Sequence, residues 1–214
     1  MNKKNILYRA LRKIYRIFFP SPTAEERKLR KQKEDYEYLR SMGVETELGY
    51  VELFGKPIIN IAPGARIVME KGVMLISESQ YNYAGINHPV VLSAECAGAE
   101  IILHEGVGMS GTSIVAVEHI EIGADTMLGA NTNVYDTDFH PIEAEARKHQ
   151  KGIADAPHAP VNIGKQCWIA ANSTILKGVE IGDGTVVGSM SLVNRSLPEN
   201  VLAAGVPAKV IKNL

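Results

Sequence analysis

From Ile163 onward an aliphatic residue recurs at every sixth position: Ile169, Ile175, Ile181, Val187 and Val193, without a slip. A small or β-branched residue stands four places after each of the first five, at Cys167, Ser173, Val179, Thr185 and Ser191. The residue directly after the aliphatic one is often Gly or Asn, as at Gly164, Gly182, Gly188 and Asn194. A fixed repeat of this kind decides architecture before single residues are weighed. One buried stripe on a strand gives a period of two, so a plain strand does not explain it. Roughly four extended residues and a tight turn instead make one side of a triangular coil, whose aliphatic side chains stack along the axis. Gly and Asn are expected to supply the positive φ that such turns demand. Successive coils then hydrogen-bond in parallel, and stability accumulates between neighbouring repeats.

The same beat sounds at Ile61, Ile67 and Val73, and again at Ile122, Leu128 and Val134, with Thr126 and Thr132 at the small inward positions. Residues 76–100 and 103–116 read as irregular coils. The gap from Val134 to Ile163 is 29 positions, not a multiple of six. An excursion over about residues 136–160 must therefore leave the regular coil. Three segments result: a basic, helical N-terminal segment (1–45), a coil domain (46–198) with the inserted loop, and a C-terminal tail (199–214).

Charge is balanced overall, with 23 basic against 24 acidic residues, so nothing global points to nucleic acid. Locally it is not. Residues 1–20 carry Lys3, Lys4, Arg9, Arg12, Lys13 and Arg16 and no acid. Ile6, Leu7, Ala10, Leu11, Ile14, Ile17 and Phe18 recur between those cations at three- and four-residue steps, which predicts a basic amphipathic helix over 3–19. It suits either attachment to an anionic membrane surface or packing on a neighbouring element. After Pro20 and Pro22, Thr23 and Glu26 have capping-box spacing and open a second helix, which Gly43 ends near Met42. No run reaches the ~18–20 apolar residues of a membrane span, and no signal peptide is evident. Two cysteines, Cys96 and Cys167, form neither a zinc motif nor a disulfide framework, which fits a reduced, cytoplasmic setting.

The strings GAEIILHEGVGMSG, IEIGADTMLGANTNVYDTDFHPI, VNIGKQCWIAANSTILKGVEIGDGTVVGSMSLV and AAGVPAKVIK resemble the hexapeptide-repeat acyltransferases. The likeness covers residues 90–214 well and 45–89 loosely. It is nearest to the branch holding the maltose and galactoside O-acetyltransferases and those of capsule and lipopolysaccharide synthesis. The resemblance implies an all-β, left-handed parallel β-helix that assembles as a homotrimer. It also implies acetyl transfer from acetyl-CoA to a saccharide hydroxyl, without a metal, in sites between subunits.

Such a transfer needs a base for the hydroxyl proton, and a histidine titrating near neutrality suits it. Of six histidines only His140 stands in the string DTDFHP at the start of the excursion; in similar enzymes the His-Pro histidine there is the base. Asp136 and Asp138 are near enough in sequence to orient its ring, to bind sugar hydroxyls or merely to cap the loop. Asn131 lies where relatives place a substrate-contacting asparagine; its other reading is a turn residue. By the same match Trp168, Ala170 and Ala171 lie near the thioester end of the cofactor, and Gly188, Ser189 and Asn194 lie further along. Gly205, Pro207, Ala208, Lys209 and Lys212 form a tail meeting the nucleotide end, where lysine offsets phosphate charge. Trp168 points outward in the repeat, which also fits packing at a subunit interface.

Rival readings are N-acetylation of an amino sugar or antibiotic, a zinc-dependent γ-type carbonic anhydrase, and a non-catalytic β-helix scaffold. The zinc reading pairs His104 with His140, 36 residues on, but a third histidine would fall at 144 or 145, which are Ala144 and Glu145.

Overall fold

The computed structural model describes residues 23–214. The basic amphipathic helix expected over 3–19 lies outside the described residues. Helix α1 (Ala24–Ser41) is bounded as its caps dictate. The Thr23 hydroxyl accepts the Glu26 N–H, the Glu26 carboxylate accepts the Thr23 N–H, and Gly43 takes φ 86° just beyond the last turn.

Beyond α1 the chain winds into a parallel β-helix built three strands to a turn. The turns are β1 (Val51–Phe54), β2 (Ile58–Ile61) and β3 (Arg66–Met69); β4 (Val73–Ile76), β5 (Val91–Ala94) and β6 (Glu100–Leu103); and β7 (Gly108–Ser110), β8 (Ser113–Ala116) and β9 (His119–Ile122). Then come β10 (Met127–Leu128), β11 (Asn133–Tyr135) and β12 (Val161–Ile163); β13 (Trp168–Ile169), β14 (Thr174–Ile175) and β15 (Glu180–Ile181); and β16 (Val186–Val187) with β17 (Leu192–Val193). A hairpin of β18 (Val201–Gly205) and β19 (Ala208–Asn213) closes the chain.

Every third strand pairs in parallel, giving three flat faces. Face one runs β1-β4-β7-β10-β13-β16-β18-β19, face two β2-β5-β8-β11-β14-β17, and face three β3-β6-β9-β12-β15. Ile169 pairs with Val187, eighteen residues on, so three hexads make one turn. The core is three axial stacks of aliphatic side chains. On face one Leu53, Leu75, Met109, Leu128, Ile169, Val187 and Ala203 are in register. All six hexad residues from Ile163 to Val193 are buried. Truncating one of them to Ala costs about 2–5 kcal/mol.

The small inward residues have a second task. The Thr126 hydroxyl donates to Gly164 C=O (2.7 Å) and accepts the Cys167 N–H (3.0 Å). Ser173 likewise donates to Gly188 C=O and accepts the Ser191 N–H; Thr185 donates to Pro198 C=O and accepts the Val201 N–H. Each hydroxyl thus joins its corner to the next turn and is itself satisfied there. Cys167 sits in the same inward series, its thiol within 3.2 Å of Gly182 C=O, and burial pushes that thiol up.

The glycines after the aliphatic positions do not supply the positive φ expected of them. Positive φ falls instead three places after the aliphatic residue, at Gln166, Asn172, Gly178, Gly184 and Met190, again six apart. Gly164 and Gly182 are not left-handed; they are needed because successive corners touch. A Cβ on Gly164 would stand 2.7 Å from Asp183 N, and one on Gly182 would stand 2.7 Å from Glu199 Cα.

Both ends of the coil are covered. At the first turn the Leu53 N–H donates to Asp35 and Leu53 C=O accepts from Lys31, both on α1, while Leu39 is fully buried below them. At the other end β19 runs antiparallel to β18 and ends the face. Among the described residues no helix is long and apolar enough to cross a membrane.

Candidate active site

Between β11 and β12 the chain leaves the coil at the corner where face two meets face three. It carries helix α2 (Ala144–Lys148) and a 3₁₀ turn at Ile153–Asp155, and a bridge between Thr137 and His158 closes its neck. Phe139 enters the left-handed region at φ 63°, its N–H donating to the Thr137 hydroxyl and its ring edge-on to Tyr135 at 5.1 Å. This bend, with Pro141 buried behind it, turns the next side chain, His140, out to solvent.

His140 Nδ1 lies 2.8 Å from Gln150 Oε1. The Gln150 amide is fixed in turn: its Nε2 donates to Phe139 C=O and Gly152 C=O, both at 2.9 Å. Arg147 ties the segment between by donating to Pro141 C=O and Ile142 C=O. Among the described residues His140 Nε2 has no hydrogen-bond partner, and the side chain is exposed.

Neither aspartate bonds that ring; of the alternatives the sequence left open, Asp136 takes the cap. Asp136 is fully buried and accepts three backbone N–H groups, from Val117, Glu118 and His119, at 2.7–2.9 Å. Burial raises its pKa, and those three bonds work against the rise. A carboxylate closed off in this way cannot reach a saccharide, so its assignment as a substrate contact also falls: it caps the turn at 117–119. Asp138 is paired with Lys177 across the loop's base, Nζ lying 2.8 Å from each carboxylate oxygen. Asn131 takes φ 59° as a turn residue, and its amide holds the loop before β5, accepting the Asn87 N–H (2.8 Å) and donating to Gly85 C=O (3.2 Å).

The residues matched to the cofactor fall on two corners. Trp168 is half exposed on face one, in one outward column with Val186, Leu202 and Lys212 on successive strands. At strand spacing, that column puts Lys212 ~14 Å from Trp168. Ala170, Ala171, Gly188, Ser189 and Gly205 follow along the corner of faces one and two. Gly188 is obligatory there, since a Cβ would stand 2.8 Å from that of Ala204. The Ala170 N–H is committed to Val187 C=O (2.8 Å) and is not free for a ligand. Pro207 and Lys209 are exposed at the tip of the β18–β19 hairpin, with Ala208 half-buried between them. Asn194 does not join this group: it follows β17 on the corner where the His140 loop emerges. Within one chain, His140 and Trp168 stand on different sides of the prism.

Sequence reasoning missed Gln150 and Lys177. A neutral amide ten residues after the base, beyond a short helix, carries no motif, and a lysine before a turn glycine reads as a solvated corner. A separate cluster decorates face three: His104 bonds Glu121 (2.6 Å) and Glu70 (3.1 Å), and His119 lies between Glu100 and Glu121. His104 is thereby engaged with carboxylates and is not paired with His140. No group of three metal-ligating side chains is present among the described residues.

Residues 160–195 match the family model described as bacterial transferase hexapeptide (six repeats). Over 95 residues the chain is 36% identical to galactoside O-acetyltransferase of Escherichia coli, an alignment covering 44% of each protein. The chain thus spans about half the length, or less, of the curated relatives it matches. Two solved structures share the fold. A maltose O-acetyltransferase from Clostridium difficile covers the whole chain, and 89% of its own, at TM-score 0.52 and 24% identity. AntD, an N-acyltransferase from Bacillus cereus solved with dTDP and coenzyme A, covers 83% of this chain and 87% of its own at TM-score 0.56 and 22% identity. The fold and its repeat define a hexapeptide-repeat β-helix protein. Over residues 160–195 its repeat is similar to the bacterial transferase hexapeptide family.

Proposed function

We propose that this protein transfers an acetyl group from acetyl-CoA to a saccharide hydroxyl, with His140 as general base. The observation that carries the reading is the presentation of His140: Nδ1 is held by an acceptor and Nε2 is left open on an exposed loop. A sugar hydroxyl is a weak nucleophile until its proton is removed, whereas a neutral amine attacks without that help, so a poised base favours a hydroxyl acceptor. Nε2 takes the hydroxyl proton as the oxygen attacks the thioester carbonyl carbon. The carbon–sulfur bond then breaks, and the imidazolium returns the proton to the departing thiolate. No acyl-enzyme is needed, and Cys167 is buried.

The column from Trp168 to Lys212 suits the cofactor: an aromatic and small residues beside the pantetheine arm, and cations at the phosphate end. Because His140 and Trp168 stand on different sides of one prism, the complete site is built between copies, as in a cyclic homotrimer. Galactoside and maltose acceptors of the relatives support the saccharide class. The basic segment over residues 3–19 fits work at the cytoplasmic membrane surface on cell-surface polysaccharide.

The test is an acceptor screen with acetyl-CoA, following thiol release over sugars, amino sugars and nucleotide sugars, with wild type and His140→Ala. Turnover should fall ~10²–10⁴-fold in the variant, and coenzyme A affinity, read from Trp168 fluorescence, should hold. Wild-type turnover in His140→Ala would remove the base assignment, and exclusive use of amines would move the reaction to N-acetylation.

A further inference from the structure

We propose that Gln150 dictates which nitrogen of His140 carries the proton, and so makes Nε2 the basic atom. The inference rests on the reading of His140 as the base.

A neutral imidazole has two tautomers, and the hydrogen bond at one nitrogen decides the other's role. Free histidine in water prefers its proton on Nε2, the wrong arrangement for a base that must accept at Nε2. A side chain amide can present either a donor or an acceptor to the ring, depending on which way it is flipped. In Gln150 that choice is settled by two backbone carbonyls. Phe139 C=O and Gly152 C=O can only accept, and both lie 2.9 Å from Nε2 of the amide. The NH₂ end must therefore face them, and Oε1 must face His140, 2.8 Å from Nδ1. An amide oxygen carries no proton to give, so Nδ1 holds one, and the Nε2 lone pair is left open.

The device is local to the excursion. Phe139, whose carbonyl aims the amide, is the residue whose left-handed bend turns His140 outward. The same short loop thus positions the ring and chooses its tautomer. It does so with a neutral partner, so the proton that reaches the imidazole in the reaction is not held by a carboxylate and can pass on to the leaving thiolate. Gln150 touches neither substrate nor cofactor and acts only through His140; it is a positioning residue.

The experiment is ¹⁵N NMR of the histidine rings in the full-length protein, assigned with His140→Ala and recorded with the imidazole neutral. Wild type should show a protonated Nδ1 and an unprotonated Nε2 at His140. Gln150→Leu should move the population toward Nε2–H and lower kcat roughly 10–100-fold, leaving KM for acetyl-CoA within twofold. Gln150→Glu keeps an acceptor opposite Nδ1 but loses the donors to the two carbonyls, and should retain the Nδ1–H tautomer. A wild-type ring protonated at Nε2, or an unchanged Nδ1–H tautomer in Gln150→Leu, overturns the proposal. The spectrum does not depend on turnover. An active His140→Ala enzyme would thus sink the base assignment while the tautomer result stood, and an inactive one beside an unmoved tautomer would sink only the role of Gln150.

Discussion

Asp138 and Lys177 meet across the mouth of the excursion, the ammonium 2.8 Å from each carboxylate oxygen. One partner stands two residues before the proposed base; the other follows β14 on the regular coil. Both side chains are about 70% covered, 28% of Asp138 and 30% of Lys177 remaining exposed. The pair is thus a tether between an irregular loop and a rigid wall. A double-mutant cycle with Asp138→Asn and Lys177→Met should give a coupling of about 1 kcal/mol. Hydrogen exchange over residues 142–156 should quicken in Lys177→Met; exchange equal to wild type would show that the loop holds without it.

Asp136 carries a heavier structural duty. Its carboxylate accepts the N–H groups of Val117, Glu118 and His119. Asp136→Ala would leave three donors unmet where the chain turns into β9. The expected loss is roughly 3–5 kcal/mol of unfolding free energy in urea titration. A loss below 1 kcal/mol would mean that water replaces the carboxylate at that turn.

Met190 occupies a left-handed position, φ 57°, in a series where Asn172, Gly178 and Gly184 are better suited. Its side chain is 71% exposed, so little packing offsets the strain. Met190→Asn should stabilise the protein by about 0.5–1 kcal/mol, seen as a higher urea midpoint at unchanged m. A lower midpoint would show that the Met190 side chain is covered in the assembled protein.

Face three should respond to pH through His104. Burial alone would lower its pKa, but hydrogen bonds and charge from Glu121 and Glu70 win, and the imidazole is raised above 6.5. A raised histidine stabilises fully below the unfolded value and loses that contribution as pH climbs through the folded one. Wild type should therefore lose stability relative to His104→Gln on going upward from pH 6.5. The same contact holds Glu121 low, chiefly through the hydrogen bond from His104, so it also weakens as acid protonates that carboxylate. Parallel stability–pH curves for the two proteins above pH 6.5 would discount the cluster.

The hexad was readable because burial enforces it: Ile163 to Val193 face the axis, and only an aliphatic side chain fills each layer. Gly164 and Gly182 were legible as required glycines but not for their reason, since contact between successive corners leaves no trace in one repeat. His140 stood out through its string and through the break in the beat. Gln150 did not, because its role comes from two carbonyls at Phe139 and Gly152 that only the folded loop brings to it. Asp136 beside Asp138 looked like a pair of equivalent acids; one is sealed under the coil and the other is bound to a lysine 39 positions away.

The covered ends of the coil set how such a protein can change in length. Helix α1 satisfies the Leu53 backbone in the first turn, and the antiparallel β19 is the last strand of face one. Between these fixed ends the fold accepts material only in quanta of one turn, the eighteen residues that separate Ile169 from Val187. A whole turn would lift everything beyond it by ~4.8 Å and restore every pairing. A partial one would rotate Trp168 off its face, away from Lys212. The column from Trp168 to Lys212, proposed for the cofactor, is in this sense a ruler graduated in single turns, and the residues at its two ends keep their alignment only at whole marks.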